Sequence, residues 1–238
     1  MMNPLSSILK PGMRVASLGY PDIIAPIPAM DGLKYRTDSE AICRRHGLAP
    51  RQIPDAESYF AKLGCELHVY DIVKERGCER LCDLNKPDEL RYASKFYDIV
   101  LDVGTAEHVM NVFNAMMNMA SMVKLGGYII HENPHSGWGN HGFYSLHPTL
   151  FHDFYTSNGF EIVDCALVSR SGETAQVPAT KRFAIQTQQD LNILCMAKRT
   201  EVVEFTYAQQ TKYKKLLPAA GVPGEKTKEV DHARANVA

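Results

Sequence analysis

The chain has 238 residues, 45% of them apolar and 22% charged, with 26 Lys+Arg set against 27 Asp+Glu for a net charge of -1. That length is enough to bury a full core and suits one domain with an extra lobe or tail. The balanced charge gives no case for a nucleic-acid or anionic-membrane partner, and no apolar run approaches the ~20 residues a spanning helix needs.

In chain order, Met13 to Leu18 reads as a short apolar strand, stopped by the turn chemistry of Gly19-Tyr20-Pro21-Asp22. A helix is predicted from Asp38 or Ser39 to His46, with Gly47 as its C-cap, and a second from Pro54-Asp55 to Leu63, closed by Gly64. Glu66 to Tyr70 reads as a strand ending on Asp71. Arg80 to Cys82 is a short strand ending on Asp83, and Leu84 to Ala93 is a polar connection with helical potential. Tyr97 to Leu101 is a strand ending on Asp102 and the Gly104-Thr105 turn. The apolar spacing from Met110 to Val123 predicts a helix buried against a sheet, its methionines serving as core filler.

Lys124-Leu125-Gly126-Gly127 then turns the chain into the strand Tyr128-Ile129-Ile130. His147-Pro148 to Asn158-Gly159 has the start and stop signals of a helix, and Phe160 to Val168 and Leu191 to Ala197 read as strands. Ser169 to Asp190 is a polar connection, Val202 to Leu217 is ambiguous, and the tail from Pro218 to Ala238 is too poor in apolar residues to fold. The expected domain is thus residues 1–217, with a helical insertion over about 22–64. The sum is an α/β, Rossmann-like three-layer sandwich around a seven-stranded, mostly parallel sheet with an antiparallel edge strand.

Ligands of such sheets bind beyond the carboxyl ends of the strands, where strand order reverses. The ends here carry Gly19, Asp71, Asp83 and Asp102 to Glu107. A carboxylate after the second strand can accept two hydroxyl hydrogen bonds from a ribose, although a lone Asp there is commonly a turn residue or helix cap. The six cysteines contain no C-x-x-C pair, and Cys78-x3-Cys82 lacks a second half. Reduced, mostly buried thiols are the reading, and no metal is expected. The start, MMNPLSSILKPGMRV, lacks signal-peptide architecture, so a cytoplasmic location is expected.

The order Val-Ala-Ser-Leu-Gly, Val-Tyr-Asp, Cys-Asp-Leu-Asn, Tyr-Asp-Ile-Val-Leu-Asp with Ala-Glu-His, then Leu-Gly-Gly-Tyr-Ile-Ile resembles the class I S-adenosylmethionine-dependent methyltransferases. The likeness spans roughly Met13 to Lys198. His141-Gly142-Phe143-Tyr144 through Phe160 is similar to a bacterial branch associated with glycan or small-metabolite modification. The resemblance implies S-adenosylmethionine as cofactor, with Gly19 beside its methionine part and Asp71 on the ribose hydroxyls. Asp83 and Leu84 would hold the adenine, and Asp102 to Thr105, Gly104 included, would line the methionine end. The first loop departs from the family's acidic-x-Gly-x-Gly-x-Gly pattern, having Ser17 and Pro21 at the acidic and second glycine positions. Either Asp22 replaces the missing carboxylate in a remodelled pocket, or the site has been lost.

Six of the nine histidines fall between His108 and His152. His131, His135 and His141 follow the fifth strand, where an acceptor would meet the methyl group, and imidazole can take a hydroxyl proton near neutral pH. They are the candidate catalytic residues. With Glu132 they are also chemically suitable metal ligands, but the spacing matches no compact zinc motif. A purely structural, hydrogen-bonded loop beside Trp138 is the third reading. Asn133, Trp138, Asn140 and Tyr144 would contact a sugar-like acceptor, and Gly137, Gly139 and Gly142 would let the loop move as a lid. The expected function is methyl transfer to a hydroxyl of a sugar or small metabolite. The rival is a binding or assembly scaffold of the same fold without cofactor. The expected partner is a small-molecule or glycan acceptor, with homo-oligomerisation left open.

Overall fold

The structure, a computed structural model, describes residues 5, 7–24, 30–178, 181, 183–185 and 189–214. The tail from Pro218 onward, expected to be unfolded, lies outside the described residues.

Eight strands form one sheet in the order β3-β2-β1-β4-β5-β8-β6-β7. They are β1 (Arg14–Leu18), β2 (Glu66–Asp71), β3 (Arg80–Leu81), β4 (Tyr97–Val103), β5 (Val123–Ser136), β6 (Phe160–Ser169), β7 (Thr174–Gln176) and β8 (Leu191–Arg199). The strands β1 to β5 pair in parallel, and β8 runs antiparallel between β5 and β6. The expected count of seven is therefore corrected to eight. The extra strand, β7, lies at the edge, antiparallel to β6, within what the sequence showed as a polar connection. All three of its residues are exposed, so it carries no hydrophobic signal.

Side chains alternate between two cores, as the period of a strand buried on both faces requires. Ala16, Val100, Ile129, Ile193, Cys195 and Ala197 face one layer, built with helices α3 (Val112–Met122) and α4 (Pro148–Ser157). Val15, Ile99, Leu101, Ile130, Leu194 and Met196 face the other, where α2 (Ala56–Lys62) packs through Ala56, Tyr59 and Phe60. Helix α1 (Ser39–Arg45) has a satellite cluster of its own, Ile42, Cys43 and Ile53.

Local chemistry explains the helix ends. Asp55 caps α2 by accepting from Ser58 N at 2.8 Å, and Asn111 caps α3 by accepting from Asn114 N at 3.0 Å. Pro148 occupies the first turn of α4, where its missing N–H costs nothing. The buried Arg199 donates to the carbonyls of Ala120 and Val123, satisfying the C-terminal end of α3. The ambiguous stretch after β8 is irregular over 201–210, with one short helix, α5 (Thr211–Lys214). It packs back on the end of α4 and on α3: Asn158 Oδ1, at the C-cap of α4, accepts from Thr206 N at 2.7 Å, and Tyr207 stacks on Phe113 of α3 at 4.1 Å. No helix among the described residues is long and apolar enough to cross a membrane.

Candidate functional site

Strand order reverses at β1, whose neighbours are β2 and β4, and a cavity of about 270 Å³ lies beyond the carboxyl ends of these strands. Gly19, Asp71, Asp83, Leu84 and Gly104, five of the expected cofactor residues, all line it. Gly19 takes φ +76°, and a Cβ there would come within 3.3 Å of Thr105 Oγ1. Thr105 in turn donates to Leu18 O at 2.7 Å, so the β1 and β4 turns meet edge to edge and leave backbone facing the cavity. Asp71 accepts from Val73 N at 3.2 Å. Asp83 is held by the N–H and side-chain amide of Asn85, both at 3.1 Å, which keep its carboxyl below the usual range. Sequence reasoning missed Ile72 and Val109. Ile72 is 67% exposed, an apolar side chain left open directly after the Asp71 carboxylate.

The structure does not bring Asp22 and Asp102 to this cavity. Asp22 pairs with Arg36 at 2.9 Å and lies 3.4 Å from His46 and 3.6 Å from Arg45, so its carboxylate ties together the segment between β1 and β2. Asp102 is fully buried and accepts from Thr105 N, Ala106 N and Asn133 Nδ2 at 3.0–3.1 Å, which fixes the turn after β4 from within. Ser17, at the family's acidic position, is also buried and donates to Gly19 O at 2.8 Å.

A larger cavity, about 800 Å³, lies against the sheet where β5, β8 and β6 adjoin. Its floor follows the strand period: Asp164, Ala166 and Val168 from β6, Asn192, Leu194 and Met196 from β8, and Glu132 from β5. His46 and Arg51, from the segment between β1 and β2, also line it, as do Trp138, Arg170 and Asp190. Glu132 Oε1 accepts from Asn192 Nδ2 at 3.0 Å, while Glu132 Oε2, Asn192 Oδ1 and Trp138 Nε1 are shut off from solvent without a hydrogen-bond partner. Burial raises the Glu132 carboxyl above its ordinary range, against the opposing pull of the Asn192 hydrogen bond.

The three candidate histidines separate in space. His131 is fully buried, its Nδ1 2.6 Å from Asp102 Oδ2 and its Nε2 2.5 Å from Tyr155 Oη. Because a carboxylate only accepts, Nδ1 donates to Asp102 and Nε2 accepts from Tyr155, so both nitrogens are occupied inside the core. His135 is buried too, donating from Nδ1 to Leu146 O at 2.8 Å, and burial lowers its pKa. Neither lines either cavity. His141 alone reaches a solvent-facing site, with a side chain 39% exposed.

There it meets Glu107 and His108, whose grouping with His141 the sequence reading did not anticipate. Glu107 Oε2 accepts from Asn133 Nδ2 at 3.0 Å, whereas Oε1 has no hydrogen-bond partner. His141 Nε2 lies 3.6 Å and His108 Nε2 3.8 Å from that oxygen. Burial, then the nearby Asp102, pushes the Glu107 carboxyl up to about 7. The loop bearing His141, expected to move as a lid, is held against the backbone of the β4 turn in this structure. Phe143 N donates to Glu107 O at 2.8 Å, and a Cβ on Gly142 would lie 2.9 Å from that oxygen. Trp138 holds φ +41° in the same turn, an uncommon conformation for a bulky residue. This trio lies beside the smaller cavity, which His108 lines; the His108 and His141 rings are 4.9 Å apart, and His141 is 5.3 Å from the ring of Trp138, which lines the larger. The Glu-His pair directly after β4 was the signal available in the sequence.

No protein-family model and no curated protein matches this sequence. Among solved structures, the chain is similar to the 1,6-didemethyltoxoflavin-N1-methyltransferase of Burkholderia thailandensis, solved with S-adenosylhomocysteine bound. The two share 16% identity over 84% of this chain and 78% of that one, with a TM-score of 0.49. A SAM-dependent methyltransferase from Archaeoglobus fulgidus shares 16% identity over 82% of this chain and 90% of its own, with a TM-score of 0.45. The [4+2]-cyclase SpnF shares 12% over 81% and 76%, with a TM-score of 0.48.

Proposed function

We propose that the protein is an S-adenosylmethionine-dependent methyltransferase acting on a hydroxyl of a sugar or small metabolite. The observation that carries this reading is the ring of Gly19, Asp71, Asp83, Leu84 and Gly104 around one cavity at the point of strand reversal. The residues fit the cofactor. Asp71 offers a carboxylate to a ribose diol, Asp83 an acceptor to an adenine amino group, and Ile72 and Leu84 apolar surface to the adenine ring. The bound cofactor supplies an electrophilic sulfonium methyl; transfer to a hydroxyl forms one C–O bond, breaks one C–S bond, and leaves one proton to be taken up.

The 800 Å³ cavity supplies the acceptor site in this reading. Trp138 offers a flat apolar face, and Glu132, Asn192 and Asp190 offer hydrogen-bonding groups, a pairing suited to a polyhydroxylated ring. The trio Glu107, His108 and His141 stands at the rim of the cofactor cavity, which His108 lines, and receives the hydroxyl proton. Its pinned loop fixes the approach of the acceptor, and orientation supplies much of the acceleration in such transfers.

Calorimetric titration of the full chain with S-adenosylhomocysteine tests the reading. A binding heat that saturates at one ligand per chain supports it, and folded protein giving no heat at millimolar ligand sinks it. A scaffold without cofactor is favoured by one observation: the only carboxylate of the turn after β1, Asp22, is paired with Arg36 and does not line the cavity, and the family's acidic position holds the buried Ser17. The same titration separates the two.

A further inference from the structure

We propose that Glu107, His108 and His141 bind a divalent transition-metal ion, with zinc as the reference occupant, beside the smaller cavity. One carboxylate oxygen and two imidazole nitrogens form a donor set that suits zinc and its neighbours. Their ligand atoms all lie within 4.8 Å of one another. Bonds of about 2.0–2.1 Å in a tetrahedral site put ligand atoms ~3.4 Å apart. The observed separations of 3.6 and 3.8 Å from Glu107 Oε1 need to close by a few tenths of an ångström, and the two half-exposed imidazoles, their nitrogens within 4.8 Å of each other, swing in to complete the set.

Direct hydrogen bonding does not explain the cluster, because those separations exceed the range in which N–H···O bonds form. Glu107 Oε1 is nonetheless buried and without a donor, an arrangement that is costly unless a cation or hydrogen bond satisfies it. The support around it is already in place. Asn133 holds Oε2 at 3.0 Å and so orients the carboxylate, and the backbone of Phe143 and Tyr144 donates to Glu107 O at 2.8 and 3.3 Å. The imidazoles are on the outer side, His108 46% and His141 39% exposed, leaving room for a further ligand from the cavities. Three protein ligands with an open position is the pattern of a catalytic rather than a structural ion. The catalytic role rests on the methyltransferase reading, and with the ion bound it takes the place of proton uptake by the trio itself: a cation here would polarise the O–H of an acceptor hydroxyl and ease loss of its proton to water. The binding itself does not rest on it.

The test uses the full chain, stripped with chelator and titrated with Co²⁺ while visible absorption is followed, then with Zn²⁺ in competition. One equivalent of Co²⁺ should give d–d bands without thiolate charge-transfer absorption, and Zn²⁺ should displace it. Loss of an outer supporting contact weakens metal affinity by about 10–100-fold, so the double variant His108→Ala/His141→Ala should weaken it by at least ~100-fold. Both side chains are half-exposed, and the variant's circular dichroism checks its fold. No d–d bands up to millimolar Co²⁺, bands dominated by sulfur, or binding unchanged in the double variant would each overturn the proposal. S-adenosylhomocysteine titrated into the same metal-free sample keeps the readings separate. Metal binding without nucleoside binding ends the catalytic role and leaves the site; the reverse ends the site alone.

Discussion

Glu107 Oε1 lies 3.6 Å from His141 Nε2, although one residue follows β4 and the other follows β5. The two meet because adjacent parallel strands end side by side, and because Gly142 lets the second loop lie on the backbone of the first. Several consequences can be measured.

Asp71→Ala should weaken S-adenosylhomocysteine binding by about 10–150-fold, the loss expected for ~1.5–3 kcal/mol of hydrogen bonding to a charged group. Among the described residues the half-exposed carboxylate accepts one hydrogen bond, from Val73 N, so the melting temperature should barely move. Calorimetry and thermal unfolding on the same sample check both halves.

His131→Ala and His141→Ala should behave in opposite ways. Removing the buried His131 strands Asp102 and Tyr155 and should cost ~3–5 kcal/mol of stability. Loss of the half-exposed His141 should change stability by less than ~0.5 kcal/mol while abolishing turnover. Urea unfolding beside a methyl-transfer assay reads the difference, and a stable His131→Ala protein would contradict the structural role given to that residue.

Gly142→Ala places a Cβ 2.9 Å from Glu107 O, with no flexible side-chain end to give way. The expected cost is ~1–3 kcal/mol, with displacement of His141. Activity should fall further than stability alone explains, as seen by comparing rates well below the midpoint of unfolding.

Glu132 should make stability pH-dependent. Its folded-state pKa is raised by burial, so its contribution is fully present below the unfolded value of about 4.3 and is lost as pH rises through the folded value. Glu132→Gln cannot ionise and should therefore gain on the wild type between pH 4 and pH 8. Urea midpoints for both proteins across that range measure the sign, and parallel curves would show that the carboxylate finds a compensating partner.

The alternation of Val15 with Ala16, and of Ile129 with Ile130, was legible because a strand buried on both faces must be apolar on both. The glycine and proline punctuation of α1, α2 and α4 was legible for an equally local reason. Asp71, Asp83 and Gly19 could be placed from sequence because each ends a strand, and parallel strands end together. The exposed edge strand β7 could not, since Thr174-Ala175-Gln176 is held by pairing to β6 and buries nothing. Nor could the roles of the histidines. Chain position put His131, His135 and His141 in one polar stretch, but strand pleat and loop path send the first two into the core and the third to the surface. The sequence alone therefore determined seven of the eight strands and the residues at the carboxyl ends of the parallel ones, through short-range periodicity and turn chemistry. Only the tertiary structure decided that Glu107 and His108 join His141, and that a second cavity opens over β5, β8 and β6. Contacts between distant segments depend on register and packing, which no local pattern encodes.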